Sequence, residues 1–283
     1  MEHAVLVGER ERGSLVAGFE GRHAPYNATL TALRRFIDRR RAGAALARRR
    51  RAVYHSAHAR PLDGRRGEHV IHKRRRPNAT LILLVRHGRT PTTGSVLPGR
   101  APGLHLAEDG RKEAEAVAER IARLKAVAAV YSSPLERARE TAEPIAQRRG
   151  LELRIEPGLI ECEIGAWTGL ELAKAAKLPE WTVVQRHPSG FRFPGGESFM
   201  EIQTRMVDTL QALVARHPGE IVVAVSHADP IKTAVAHALG TPLDLFQRIA
   251  IGTASVSAIA YGRTGPTVLT VNSTGGDLSA FSP

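Results

Sequence analysis

The chain has 283 residues, 42% of them apolar, which is enough to bury a core and suits one sizeable α/β domain with something attached. Its formal charge of +13 suggests a nucleic-acid binder until it is divided: residues 1–77 hold 19 Lys and Arg against 7 Asp and Glu, whereas residues 78–283 hold 22 against 21. A single cysteine, Cys162, excludes an intrachain disulfide framework, and no apolar run reaches the length of a signal core or a membrane span, so a cytoplasmic protein without membrane contact is expected.

Residues 1–77 are compositionally apart. Leu, Ile, Val and Phe number only 15 there, and charge comes in blocks such as RRFIDRRR (34–41) and KRRR (73–76). So little apolar surface cannot offset the entropy of ordering the chain. A basic, disordered extension is therefore predicted over 1–77, ahead of a domain over 78–283. Within it, residues 28–49 can wind into a helix through Leu30, Leu33 and Ile37, but nothing nearby offers a face to cover it. The extension is either a basic arm for nucleic acid or a solvated leader, and the lack of interleaved aromatics favours the leader.

From residue 79 strand and helix patterns alternate. TLILLV (80–85) is a short continuous apolar run, read as a strand buried on both faces, and VAAVYS (127–132), LELRI (151–155) and IVVAVS (221–226) read the same way. Between them, residues 108–124 place Ala114, Val117, Ile121 and Leu124 on one helical face, and residues 198–217 do so with Phe199, Ile202, Met206, Leu210 and Leu213. ASVSAIAYG (254–262) and PTVLTVN (266–272) add two strands around a Gly-containing turn. The alternation predicts an α/β three-layer sandwich, a mostly parallel sheet with helices on both faces.

In such sheets ligands bind beyond the carboxyl ends of the strands, near a switch in strand order. Three segments put polar residues there. VRHG ends the first strand with Arg86 and His87, and Gly88 allows a tight exit. In YSSPLERARETAEPIA (131–146), Ser133 reads as an N-cap with Pro134 at the first helical position and Glu136 closing a capping box, so that Arg137 falls in the first turn. In VAVSHADPIKTAV (223–235), His227 follows the strand, and Asp229 and Pro230 read as cap and first position of another helix.

Two arginines and two histidines converging on one point suit a phosphoryl group. Arginine forks pair with phosphate oxygens and stay charged, and a histidine attacks phosphorus through one ring nitrogen if the other is held by a hydrogen bond. A metal fits less well, because the arginines repel a cation and the spacing matches no zinc pattern. Ser226, His227 and Asp229 invite a hydrolase-triad reading that adjacency in sequence does not support. Taken singly, each residue has a bland alternative as a structural histidine or a solvated charge. Arg100, His105, Arg186 and Arg192 remain either further anion contacts or solvated charges. The loops at 94–105 and 176–197 are the expected carriers of substrate choice.

The ordered set LVRHGRT, SSPLERARETAEPIA, LIECEIGAWTGL (159–170), RFPGGESF (192–199) and VSHADPIK (225–232) resembles the histidine phosphatase superfamily, the phosphoglycerate-mutase-like phosphatases, across roughly residues 79–276. LPGRAPGLHL, LDLFQRIAI and NSTGGDL are similar to an actinobacterial branch of phosphomutases and phosphatases. The resemblance implies a phosphoglycerate-mutase-like fold. It also implies His87 as a nucleophile that becomes a phosphohistidine, Arg86, Arg137 and His227 as the phosphate pocket, and Glu161 rather than its neighbour Glu163 as the proton donor. It implies a small phosphorylated substrate, hydrolysed or moved by mutase transfer, with neither metal nor cofactor. Many relatives carry Asn where Thr93 stands, so a hydroxyl replaces an amide beside the phosphate, and Thr168 stands where Glu is frequent. Relatives also begin just before the RHG strand, and with no Met between residues 1 and 200, translation from near Val70 is the expectation. A catalytically silent domain tethered to nucleic acid by the basic arm is the alternative from a different class.

Overall fold

The computed structural model describes residues 79–281, so the expected extension over 1–77 and the helix within it lie outside the described residues. Six strands form one sheet: β1 (Thr80–Arg86), β2 (Ala129–Ser132), β3 (Leu153–Ile155), β4 (Ile221–Ser226), β5 (Val256–Gly262) and β6 (Gly265–Ser273), in the order β3-β2-β4-β1-β5-β6. The pairings among β1, β2, β3 and β4 are parallel, and β5 and β6 join as an antiparallel hairpin beside β1.

β1 is covered on both sides, as its unbroken apolar run predicts. Leu81, Leu83 and Val85 face helices α1 (Glu108–Ala122) and α2 (Glu136–Arg149), while Ile82 and Leu84 face α5 (Phe199–Arg216) and α6 (Ala228–Leu239). Each of these aliphatic side chains leaves water almost completely and contributes about 1.5–3 kcal/mol through burial. The helical faces read from sequence are the buried ones: Ala114, Val117, Ile121 and Leu124 on the α1 side, and Phe199, Ile202, Met206, Leu210 and Leu213 on α5. Helices on both faces of a mostly parallel sheet make the expected three layers. The start of α5 is fixed by a capping box in which the Ser198 hydroxyl receives the Glu201 N–H and the Glu201 carboxylate receives the Ser198 N–H.

β3 departs from expectation. It is a three-residue edge strand with Ile155 46% exposed, not a strand buried on both faces. It pairs only with β2, so one of its edges has no ladder and its apolar run has little to cover it. Two short helices, α3 (Leu172–Ala175) and α4 (Pro179–Arg186), belong to the long connection between β3 and β4. There Trp167, Trp181, Phe191 and Phe193 stack with Phe199 and Phe246 into a third core on the α5 and α6 side.

One close contact sets where β1 ends. The chain after His87 passes so near the first turn of α1 that a Cβ on Gly88 would lie 2.5 Å from the Gly110 carbonyl oxygen, and one on Gly110 would lie 1.9 Å from the Arg89 oxygen. Gly88 is thus required by close approach and has no positive φ. Gly110→Ala poses two opposed effects: helix propensity favours alanine by about 1 kcal/mol, while the overlap displaces backbone at a cost of roughly 1–3 kcal/mol or more. The overlap wins, so urea unfolding is expected to show a destabilised Gly110→Ala protein; a more stable variant would contradict the contact.

Candidate active site

The sheet order makes the site. β1 and β4 are neighbours in register from Leu81 with Ile221 to Arg86 with Ser226, and β2 lies on the far side of β4 with Ser132 opposite Val225. The chain leaving β1 crosses over β4 to reach β2. At this switch the segments after β1, β2 and β4 leave the same edge together, which brings Arg86 and His87, Ser133 and Arg137, and Ser226 and His227 to one place.

Arg137 is wholly buried in the first turn of α2, yet among the described residues its guanidinium donates only one hydrogen bond, from Nη2 to the Gly99 carbonyl at 2.8 Å. Its Nε and Nη1 have no partner. Arg86 donates from Nη1 to the Ile251 carbonyl at 2.7 Å and likewise leaves a buried Nε unpaired. Neither guanidinium has a carboxylate in contact among the described residues. Burial lowers the affinity of both for protons, but not enough to deprotonate an arginine. Two positive charges therefore stand under-compensated, Arg86 at the end of β1 and Arg137 in a first helical turn whose free N–H groups also favour an anion.

His87 and His227 lie against these charges with ring centroids 5.1 Å apart. The His87 ring nitrogen Nδ1 is 2.7 Å from the Gly88 carbonyl oxygen, which can only accept, so Nδ1 carries the hydrogen and Nε2 keeps a lone pair. Burial first, then Arg137 and Arg86, push the His87 pKa down to about 3, which keeps the ring neutral. His227 is lowered by burial and the same arginines. Its Nε2 is 2.7 Å from the Ser133 hydroxyl, and its Nδ1 has no partner closer than Glu161 Oε2 at 3.8 Å. Ser133 Oγ also receives the Leu135 N–H at 3.4 Å. With no acceptor but Nε2 in reach among the described residues, the serine donates there, and His227 carries its hydrogen on Nδ1, facing Glu161.

This corrects one local expectation. Ser133 is not the N-cap of α2: the helix starts at Glu136, its N-cap Leu135 makes no side-chain cap bond, and Glu136 does not close a box. The hydroxyl is drawn instead to a buried imidazole. Likewise Asp229 and Pro230 lie inside the first turn of α6, whose N-cap is His227. The triad reading fails for the same kind of reason, since Ser226 Oγ donates to the Leu159 carbonyl at 2.7 Å.

Glu161 faces the cleft with its Oε1 receiving the Cys162 N–H at 2.9 Å. Burial and the nearby Asp229 push its pKa up to about 7, against the opposing pull of Arg137 and Arg86. Glu163 turns away, with Oε2 3.7 Å from Arg100 and Oε1 receiving the Gly165 N–H. Thr93 lines the cleft, and its hydroxyl receives the Thr90 N–H at 2.9 Å and pairs with the Thr90 hydroxyl at 3.0 Å, fixing the loop after RHG. Thr141 does similar service from α2 by accepting the Gly88 N–H at 3.0 Å, a role that no spacing in the sequence signals.

The cleft has a volume of about 540 Å³ and reaches from Arg86, His87 and Glu161 past Thr93, Val96 and Leu97 to Lys232 and Arg248. The loop at 94–98 lines it as expected, but residues 176–197 do not; their aromatic side chains fill the third core. Arg100 is tied to Glu197 at 2.8 Å, His105 to Glu140 and Arg192 to Glu201, and exposed Arg186 lies outside the cleft, so none of the four extends the pocket. Lys232 and Arg248 occupy its mouth instead.

Residues 82–274 match the histidine phosphatase superfamily (branch 1). The chain belongs to that superfamily. Among relatives of this histidine phosphatase, a bifunctional protein of Mycobacterium tuberculosis is 35% identical over 204 residues, covering 71% of this chain and 56% of the relative. The chain thus spans little more than half of that relative. Phosphoserine phosphatase 1 of Hydrogenobacter thermophilus is 31% identical over 206 residues, covering 68% of this chain and 92% of that protein. Of solved structures, a mycobacterial glucosyl-3-phosphoglycerate phosphatase superposes with a TM-score of 0.63 at 27% identity, over 69% of this chain and 99% of that one. Bacillus stearothermophilus YhfR does so with a TM-score of 0.65 at 28% identity, over 69% and 98%.

The raised pKa of Glu161 has a testable consequence for stability. Below about pH 4.5 the carboxyl is protonated folded or unfolded; between about 4.5 and 7 only the unfolded chain ionises, and above about 7 both do. Relative to Glu161→Gln, the wild type is therefore expected to lose stability as pH rises through that window, on the order of 2–3 kcal/mol, and then level off. Urea midpoints of the two proteins measured at acidic, neutral and alkaline pH check this; a constant difference would contradict it.

Proposed function

We propose that this histidine phosphatase is a metal-independent hydrolase of a small phosphomonoester that passes the phosphoryl group first to His87 and then to water. The observation that carries this reading is the pair of guanidiniums, Arg137 wholly buried and Arg86 half-buried, without carboxylate partners among the described residues, around a neutral imidazole whose Nδ1 is held by a backbone carbonyl. A phosphate dianion supplies the missing counter-charge, with Arg86, Arg137, the Nδ1–H of His227 and the Thr93 hydroxyl as donors. Because transition-state stabilisation in phosphoryl transfer is mostly positioning and charge neutralisation, this donor set can serve without a metal.

The steps then follow from atom positions. The Nε2 lone pair of His87 attacks phosphorus as the bond to the ester oxygen breaks, and Glu161 gives its proton to that oxygen. Water next attacks the phosphohistidine while the Glu161 carboxylate takes a proton, which breaks the P–N bond and restores both residues. A carboxyl with a pKa near 7 is suited to both halves. Relatives that are phosphoserine and glucosyl-3-phosphoglycerate phosphatases support water as the acceptor. A phosphomutase would share the first step and differ only in the acceptor hydroxyl. In this reading residues 78–283 carry the chemistry, and residues 1–77 take no part in it.

Hydrolysis of p-nitrophenyl phosphate is expected to persist in excess chelator and to fall by roughly 10³-fold or more in His87→Ala, since loss of a nucleophile leaves only residual catalysis. Glu161→Gln is expected to lower alkyl phosphate turnover about 10²–10⁴-fold, and with p-nitrophenyl phosphate, whose leaving group needs no proton, to give a rapid burst of p-nitrophenol followed by slow turnover, because water attack on the phosphohistidine still lacks its base. Activity abolished by chelator, or surviving His87→Ala, would overturn the mechanism.

Ser133 acts through His227 rather than on substrate. Ser133→Ala frees the imidazole to adopt the other tautomer, so inhibition by orthovanadate is expected to weaken roughly tenfold, the order of one charge-assisted hydrogen bond, while Ser133→Thr, which keeps the hydroxyl, restores it. Equal inhibition of all three proteins would remove the positioning role.

A further inference from the structure

We infer that Arg100 is a positioning residue for the reaction: with Arg205 and Glu197 it clamps the backbone that carries Glu161, and the turn it belongs to ties that backbone to Arg137. This role rests on the phosphatase reading, because Glu161 has a position to keep only if it handles a proton.

Little else places Glu161. It lies between the short turns Pro157–Leu159 and Gly165–Trp167, in a stretch that is neither helix nor strand. Among the described residues its carboxyl receives one hydrogen bond, from the N–H of the adjoining Cys162. The side chain therefore goes where its own main chain goes. An acid that must meet a leaving oxygen needs that main chain fixed, since an offset of about 1 Å can cost on the order of 10²-fold in rate.

Two guanidiniums supply the hold. Arg205 reaches from α5 and donates through Nη1 to the Gly158 and Ile160 carbonyls, each at 2.8 Å. Arg100 donates from Nε to the Glu161 carbonyl, also at 2.8 Å. Glu197 orients both forks: its Oε2 receives Arg100 Nη2 at 2.8 Å, Arg205 Nη2 at 3.0 Å and the Glu163 N–H at 3.0 Å, and its Oε1 receives Arg205 Nε at 3.2 Å. With Glu163 Oε2 3.7 Å from Arg100 Nη1, two positive charges meet two negative ones. These arginines thus differ from Arg86 and Arg137. They have no charge left over for a phosphate, and their planar, multi-donor heads serve instead to fix the backbone geometry around the acid.

Arg100 also joins this clamp to the phosphate seat. It follows Gly99, whose carbonyl receives Arg137 Nη2 at 2.8 Å, in a turn closed by the Ala101 N–H on the Pro98 carbonyl at 3.0 Å. Gly99 has a φ of +48°, and a Cβ there would lie 2.7 Å from Ile164 Cγ1, so the turn also packs closely on the stretch that carries the acid. One residue of the turn thus holds Arg137 by its backbone and the next holds Glu161 by its side chain. The separation between phosphate and proton donor is set by two adjacent residues, which keeps the acid at the leaving oxygen whenever the phosphate is seated.

Full-length wild type, Arg100→Met, Glu161→Gln, the double variant and Arg148→Met are compared, the last breaking an ion pair with Glu115 between α1 and α2. Steady-state hydrolysis of n-butyl phosphate is measured beside release of p-nitrophenol in a single turnover with protein in excess. Arg100→Met is expected to lower kcat for n-butyl phosphate on the order of ten- to a hundredfold with KM little changed. Its single-turnover release of p-nitrophenol, which needs no proton, is expected to match the wild type, which also shows that the variant folds. In the Glu161→Gln background the same substitution is expected to bring no further loss, because the group it positions is gone. Arg148→Met is expected to keep both rates. An unchanged kcat in Arg100→Met, losses that add in the double variant, or p-nitrophenol release slowed as much as butyl phosphate turnover overturns the inference and leaves Arg100 a structural ion pair. Wild type that turns over neither ester is a different result, and it overturns the phosphatase reading and this role together.

Discussion

Two guanidiniums without a carboxylate partner among the described residues, Arg137 wholly buried and Arg86 half-buried beside it, are the constraint from which the rest of this site follows. An uncompensated buried charge costs several kcal/mol, and here Arg137 is such a charge, with the half-buried Arg86 beside it at the edge of one sheet. Their field reaches every titratable group around them. Both histidines are held neutral, and at Glu161 burial and the neighbouring Asp229 outweigh the arginines, so that carboxyl stays protonated to about neutral pH. In the proposed reaction a nucleophile that must keep its lone pair and an acid that must keep its proton are thereby ready at the same pH. There the phosphate relieves the charge, so the cost of holding the two guanidiniums together becomes affinity for the ligand.

Holding such a site together falls to the apolar layers beneath it. The central strands bury side chains on both faces, and their parallel pairing brings three strand ends to one edge. The approach of Gly88 to Gly110 then turns the chain away directly after His87, while the Thr141 hydroxyl and the Thr90–Thr93 pair hold the loop that follows. Precision in the site is thus inherited from rigid elements and from a few short hydrogen bonds, with little left to flexible loops.

Much of this was legible in the residues. The run from Leu81 to Val85 and the helical spacing from Phe199 to Leu213 state their own burial, because strand and helix periodicity is set by backbone geometry. Arg86, His87, Arg137 and His227 could be placed together because each follows or closely trails a strand. The failures have equally particular causes. LELRI has the composition of a buried strand, but no local signal says that it lies at the sheet edge. Ser133 has the spacing of a capping residue, yet a long-range partner, 94 positions away, claims its hydroxyl. Aromatic residues in 176–197 look like a substrate loop until the third core they fill is seen. Arg248 and Lys232 reach the cleft only through packing of the turn before Ile249 against α6, which sequence spacing does not encode.

The central claim is that the charge of Arg86 and Arg137 is there to seat a phosphoryl group on His87, and the most direct measurement is to trap it there. Full-length protein mixed with an aryl phosphate and quenched within milliseconds under alkaline conditions, where phosphohistidine survives, should carry one phosphoryl group. Peptide mass spectrometry should place it on His87, and Glu161→Gln, with its return of the catalytic base removed, should accumulate more of it. A phosphoryl group found on another residue, or none at any time while the substrate is being consumed, would contradict the account.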